Sequence, residues 1–172
     1  KVIVPVHYAG IACDMDAIME LAKKYNLLVI EDAAQAIDSY YVNKQGKKTP
    51  LGSIGHMAAF SFHETKNIIA GEGGMLAIND KQFIDRAEVI WEKGTNRTKF
   101  FRGEVDKYGW IDIGSSFLPS EVTAAFLWAQ LENLDLIQNK RIKIWNTYLQ
   151  GLKDLSDHNI IGLSYLPLYA TN

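Results

Sequence analysis

Residues 27–32 read LLVIED, four apolar residues in a row followed by two carboxylates. A strand with one wet face alternates apolar and polar residues. An unbroken apolar run therefore predicts a strand covered on both faces, as in a parallel sheet packed under helices. What precedes it supplies the partners. Val2 to Val6 form a short β-branched run interrupted by Pro5, which reads as a strand opening into a loop. In DMDAIMELAKKYN, Ile18, Leu21, Ala22 and Tyr25 fall at helical spacing behind an acidic start at Asp14 and Asp16, where a helix N-terminus favours negative charge. Strand, helix and buried strand in that order make a βαβ unit with parallel strands.

The rest of the chain extends this α/β reading. VNKQGKKTP, residues 42–50, is a lysine-rich polar loop; IGHMAAFSF and GMLAIND are two more strand candidates. Asn79 followed by Gln82 resembles a capping box that opens a helix over DKQFIDRAEVIWEKG, with Gly94 as its C-cap. Residues 95–117 hold no sustained period and are rich in basic and aromatic residues, so they read as a long surface loop of the kind that carries function. From Ser120, the residues Ala124, Leu127, Leu131, Leu134, Ile137, Arg141, Trp145 and Tyr148 recur every three or four positions and predict one long helix, bent if anything, to about Leu152.

Composition removes several function classes. Of 172 residues 48% are apolar, enough for one sizeable core, and the formal net charge of −2 without like-charge runs argues against nucleic acid or an anionic membrane as the main partner. One cysteine, Cys13, excludes an internal disulfide, and no thiol or histidine cluster suggests a metal. No apolar run approaches the ~20 residues of a membrane helix, so a cytoplasmic protein is expected. The chain starts inside a strand-like run without an initiator Met, and it reads as an excerpt of a longer protein.

In open α/β sheets ligands bind beyond the carboxyl ends of the strands. Asp32 ends one predicted strand, Ser61 and His63 end another, and Lys66 follows before the glycines Gly71, Gly73 and Gly74. Neither a G-x-G-x-x-G nor a G-x-x-x-x-G-K-[ST] motif is present, which removes support for a dinucleotide or P-loop site. A carboxylate, a hydroxyl and a lysine at one edge suit a pyridoxal phosphate site. There the amine forms a Schiff base with the aldehyde, the carboxylate keeps the pyridine nitrogen protonated, and small hydroxyls hold the phosphate. Each residue also has an ordinary alternative: Asp32 as a helix cap, Ser61 as a core hydroxyl, Lys66 as a solvated loop lysine. A cofactor-free Schiff-base lyase or aldolase would need the lysine without the carboxylate.

EDAAQA, FSFHETKN and GEGG, in this order and spacing, resemble the DegT/DnrJ/EryC1/StrS sugar aminotransferases, fold type I pyridoxal phosphate enzymes. VPVHYAG, EKGTNRTKFFRGEVDKYGWIDIGSSF and AAFLWAQLE are similar to the subgroup that aminates TDP-4-keto-6-deoxy-D-glucose for enterobacterial common antigen and related surface glycans. The resemblance runs to about residue 150. It implies that Lys66 carries the cofactor and shuttles the substrate proton, that Asp32 pairs with the pyridinium, and that Gln35 lies near the phenolic oxygen. It further implies that Ala34 packs on the ring and that Ser61 binds the phosphate. His63 and Glu64 match positions that recur in the subgroup, where a substrate contact and a structural role both fit. Arg97, Arg102 and Lys107 could meet a nucleotide diphosphate or simply form a solvated loop. Where many members have Asn in a GYN motif that reaches the neighbouring subunit's cofactor, this chain has GSS with Ser116. Members that act as 3-dehydratases replace the lysine with histidine; Lys66 favours transamination.

The resemblance also implies a homodimer with shared active sites, L-glutamate as amino donor, and a TDP- or UDP-linked keto sugar as acceptor. It divides the chain into part of a cofactor-binding large domain (1–118), a long helix (119–152) and the start of a small C-terminal domain (153–172). An excerpt lacking its flanking segments could also be an inactive folded piece.

Overall fold

The structure is a computed structural model and describes residues 1–171. Strand β1 (Val2–Ile3) leads through a loop to helix α1 (Met15–Tyr25) and strand β2 (Leu28–Asp32). β5 (Met57–Ser61) lies beside β2, and β6 (Gly74–Ile78) beside β5, giving the order β1-β2-β5-β6. β1, β2 and β5 are parallel and β6 runs antiparallel at the edge, so the sheet is mostly parallel, as expected. Pro5 lacks an amide donor and ends β1 early. Pairing resumes at Val6, which bridges to Asp32.

α1 starts where Asp14 accepts a hydrogen bond from the Ala17 amide at 3.1 Å, and it ends at Asn26 in a left-handed conformation. Its buried residues Met15 and Ala22 pack with Val29, Ala58, Leu51 and Ala36 in the core.

The register corrects one expectation. Paired residues Glu31 and Ala58 face α1 and the 51–55 loop, together with Val29, and are buried. Asp32 and Ala59, the next pair, point to the other face, where Ala59 and Leu76 are exposed. The described residues thus cover one face of β2 and leave the other half-open.

Other elements also depart from the sequence reading. The polar loop at 42–50 is a hairpin of β3 (Tyr40–Val42) and β4 (Lys48–Pro50), whose turn closes on Asn43 through its side-chain oxygen, with amides of Gln45 and Lys47 donating at 3.0 and 2.8 Å. β7 (Ala170–Thr171) adds to β3 on its other side. The cap before α2 (Ile84–Trp91) is Asp80, not Asn79: Asp80 accepts from the Gln82 amide at 3.0 Å, and a short 3₁₀ turn, Lys81–Phe83, intervenes. Asn79 instead donates to the carbonyls of Gly52 and Gly55. Within 95–117 a short helix α3 (Arg97–Phe101) forms, and the segment folds back on the end of α2 through bridges Glu92–Ser116 and Thr95–Trp110. The long helix is two, α4 (Glu121–Glu132) and α5 (Leu134–Gly151), broken at Asn133; a short α6 (Lys153–Asp157) follows. No helix among the described residues is long and apolar enough to cross a membrane.

Candidate active site

The carboxyl ends of β1, β2 and β5 lie at one edge of the sheet, and β6 begins there because Ser61 pairs with Gly74. Asp32 is in register with Ala59, two residues before Ser61, so Asp32 and Ser61 share the half-open face. From ~4.8 Å between strands and ~3.3 Å of rise per residue, their Cα atoms stand about 8 Å apart. Ala59 lies between them with only a methyl group, which leaves the sheet surface flat and accessible at that point.

Each side chain is locally oriented. Asp32 Oδ1 accepts the Ala34 amide at 3.1 Å, an Asx turn that leaves Oδ2 open; no helix follows, so the helix-cap alternative does not hold. Gln35 Oε1 accepts the Ala9 amide at 2.8 Å. With its oxygen so engaged, Gln35 offers its NH2 group as a donor. Ala9 reaches this position in a left-handed conformation (φ 54°), followed by Gly10 (φ 78°), whose hypothetical Cβ would lie 2.6 Å from Ser39 Oγ.

Lys66 sits in the connection between β5 and β6. That connection is closed by main-chain bonds from Phe62 to Gly73, Glu64 to Gly71, Ala70 to Phe62 and Lys66 to His63, all between 2.7 and 3.0 Å. The turn is therefore a defined loop on the same edge as Asp32 and Ser61, and the half-buried Lys66 makes no ion pair among the described residues. His63 bonds Thr65 Oγ1 through Nδ1 at 2.9 Å and lies 3.6 Å from Glu72; Glu64 is exposed. Beside this turn, α4 lines a small apolar cavity of about 190 Å³ with Thr123, Leu127 and Trp128 facing Phe62, Gly73 and Gly74.

The loop cations lie elsewhere. Arg102 forks onto Glu88 of α2 and reaches Glu104 at 3.8 Å, and Arg97 lies 3.8 Å from Glu92 and 5.3 Å from the Phe101 ring. Lys107 is engaged through its carbonyl, which accepts from Asn96. Ser116 is exposed and bridged to Glu92. None of these four meets Asp32, Ser61 or Lys66 in a hydrogen bond or bridge of the described residues.

One pair behind the edge was not singled out from the sequence. Glu31 is fully buried and accepts four hydrogen bonds: from the amides of Gly52, Ile54 and Gly55 at 2.8, 2.7 and 2.6 Å, and from His7 Nε2 at 3.0 Å. His7, also fully buried, accepts the Cys13 amide on Nδ1 at 3.2 Å, which places its proton on Nε2. Burial alone would push the Glu31 carboxyl up, but His7 and the three amides outweigh it and hold the group below its ordinary range. The signal was present in LLVIED: two adjacent acids on a strand face opposite ways, and the one turned into the core needs donors.

A family model described as the DegT/DnrJ/EryC1/StrS aminotransferase family matches residues 1–165. The chain belongs to that family. Among its relatives, GDP-perosamine synthase of Caulobacter vibrioides is 37% identical over 157 residues, which are 91% of this chain and 39% of the relative. An aminotransferase from Psychrobacter cryohalolentis superposes with a TM-score of 0.81 at 34% identity, covering 92% of this chain and 40% of that one. A putative sugar aminotransferase, Spr1654 from Streptococcus pneumoniae, in its PLP-form, superposes with a TM-score of 0.70 at 25% identity over 89% of this chain and 41% of that one. This aminotransferase-family chain thus spans about two-fifths of the length of the relatives it matches.

The family implies pyridoxal phosphate, and the edge fits that group. A free carboxylate oxygen of Asp32 and the Ser61 hydroxyl stand on one open face, an amide NH2 is available at Gln35, and the methyl of Ala59 leaves a flat floor.

Proposed function

We propose that the protein carrying this chain is a pyridoxal phosphate aminotransferase that moves an amino group from L-glutamate to the keto carbon of a 4-keto-6-deoxy nucleotide sugar. The observation that carries this reading is the shared open face of Asp32 and Ser61 with Lys66 in the turn that follows at the same edge. When bound, the cofactor supplies an electron sink for carbanion chemistry. The residues do the rest. Asp32 Oδ2 holds a proton on the ring nitrogen, Ser61 and the neighbouring amides hold the phosphate, and Gln35 donates to the phenolic oxygen. Ala34 lies against the ring. The Lys66 amine would hold the cofactor and, once freed by the amino donor, would carry a proton to and from the substrate carbon. Gly71, in a left-handed conformation (φ 79°), helps bring the turn that carries Lys66 back toward the strand end, where its carbonyl accepts the Glu64 amide.

Ser116, Arg97 and Arg102 act in this reading from a second subunit of a homodimer. Arg97, held only loosely by Glu92, is the better diphosphate contact; Arg102 must first release Glu88. α4 supports the dimer, because it is apolar on all sides and leaves Val122, Phe126 and Trp128 exposed. His63 and Glu64 line the sugar side of Lys66. The subgroup resemblance favours a TDP sugar, while the Caulobacter relative is named for a GDP sugar; both nucleotides belong in the substrate screen.

Borohydride reduction of the full-length protein saturated with pyridoxal phosphate, followed by peptide mass analysis, tests the reading. Cofactor mass on the peptide containing Lys66 is expected. An unmodified peptide sinks the reading, and trapping of a keto substrate on Lys66 without cofactor points to the lyase or aldolase instead.

A further inference from the structure

Strand β2 contains a puzzle of register. Leu28, Val29 and Ile30 are apolar toward both faces, so hydrophobic patterning does not decide which face each residue takes. A slip of one residue against β1 and β5 would exchange the faces of Glu31 and Asp32 at little cost in apolar burial. What distinguishes the two acids is the socket on the inner face. It presents three amide donors from the 52–55 loop and the Nε2 proton of His7, all converging on Glu31, against the single Ala34 amide that Asp32 accepts on the open face.

The same histidine reaches the neighbouring acid through its main chain. The His7 amide donates to the Asp32 carbonyl at 3.0 Å, and the Asp32 amide donates to the Pro5 carbonyl at 2.9 Å. The 52–55 loop is in turn pinned by Asn79, which donates to the carbonyls of Gly52 and Gly55 at 3.0 and 2.9 Å. There is no slack for the socket to follow a displaced carboxylate: a Cβ on Gly55 would already lie 2.9 Å from the Val29 carbonyl oxygen.

We propose that Glu31 and His7 are positioning residues of the site, a buried socket and plug that set the register of β2 and so decide that Asp32, and not Glu31, faces the ligand. The inference rests on the pyridoxal phosphate reading above. Neither residue touches the cofactor; they act through where Asp32 stands.

The test uses the full-length protein with Glu31→Gln and His7→Gln. Glutamine keeps the shape at position 31 but brings one acceptor where the socket offers four donors. Tyr41→Phe, on β3 and outside the site, serves as a variant that lowers stability only. The dissociation constant for pyridoxal phosphate and the pH titration of the bound cofactor's absorbance are measured on the folded fraction, and amide exchange at Gly52 and Gly55 on cofactor-free protein. Glu31→Gln is expected to raise the dissociation constant at least fivefold, to displace the absorbance titration and to speed exchange at both glycines, with His7→Gln following in the same direction and Tyr41→Phe changing none of these. A change below fivefold in folded Glu31→Gln overturns the proposal; should that variant not fold, His7→Gln is judged by the same limit. Wild-type protein that fails to bind pyridoxal phosphate overturns the reading of function itself, whereas equal binding by wild type and variants overturns only the positioning role.

Discussion

Gly94→Ala is the substitution whose cost the structure specifies most closely. Gly94 lies in the left-handed region at φ 79°, where a residue with a side chain loses ~1–2 kcal/mol. A Cβ there would stand 1.9 Å from the Asp112 carbonyl oxygen and 2.8 Å from its carbon, both main-chain atoms with no rotamer to relieve the overlap. Segment 111–114 must move away by more than an ångström. The movement breaks the bonds that the Gly94 carbonyl accepts from the amides of Ile111 and Asp112 at 2.8 and 3.0 Å, each worth ~1 kcal/mol. The sum is about 3–4 kcal/mol. Gly103→Ala isolates the backbone part, since Gly103 has φ 73° but no heavy atom within 4 Å of its hypothetical Cβ; it should cost only ~1–2 kcal/mol. Urea denaturation of both variants in the full-length protein gives the comparison, and hydrogen exchange should show the Ile111 and Asp112 amides opening in Gly94→Ala alone. Equal costs for the two variants would refute the close-approach argument.

Three further outcomes are expected. Tyr41 is buried, and burial chiefly pushes its phenol up to about 12, reinforced by Asp16 and Asp14 and opposed by the Asp16 amide that donates to it. A group raised above its unfolded value stabilises fully below that value, so this contribution is intact below pH 10 and declines as pH rises from about 10 through about 12. Ultraviolet titration should show a phenol near 12 that Tyr41→Phe removes, distinct from Tyr40, which its hydrogen bond to Asp38 also raises; a phenol set titrating wholly near 10 would contradict this. Asp80→Ala should remove a helix cap, read as faster amide exchange at Gln82, while Asn79→Ala should leave that amide unchanged and instead loosen 52–55. Breaking the Arg102 fork by Arg102→Gln should change stability little, because the pair with Glu88 is partly exposed, and the difference between the denaturation midpoints of the two proteins should be smaller in high salt than in low.

How far the site could be read from the sequence depended on whether the determining contact was local. The placement of Asp32, Ser61 and Lys66 at one edge was legible because a strand's end is marked in its own residues, and the carboxyl-edge rule then gathers those ends. The hairpin over 42–50 was missed because its lysines mask two short strands whose pairing is stabilised by the Asn43 turn and by β7, far along the chain. Asn79 and Asp80 are adjacent acceptors, and only the distant carbonyls of Gly52 and Gly55 decide which of them caps the helix. Asn133 divides α4 from α5 by turning its side chain back onto the Ala129 carbonyl, a bond that competes with helix continuation and leaves the apolar spacing intact.

The expectation of two covered faces for β2 failed in a way that bears on function. Val2, Val4, Val6 and Leu76 line the open side of the sheet at roughly half exposure, between 48% and 57%, on the same side as Asp32, Ala59 and Ser61. An apolar surface of that extent is not a stable endpoint in water and marks a place where something packs. The polar residues of the face are grouped at its carboxyl end, where Asp32 and Ser61 stand with Val6, Ala59 and Leu76 beside them and Lys66 in the turn that follows, while Val2 and Val4 lie toward the amino ends of the strands. A phosphorylated ring suits the first region and packed protein suits the second. The unbroken apolar run of LLVIED thus signals a face that favours a second cover, and the candidate site of Asp32, Ser61 and Lys66 lies at the carboxyl end of that same face.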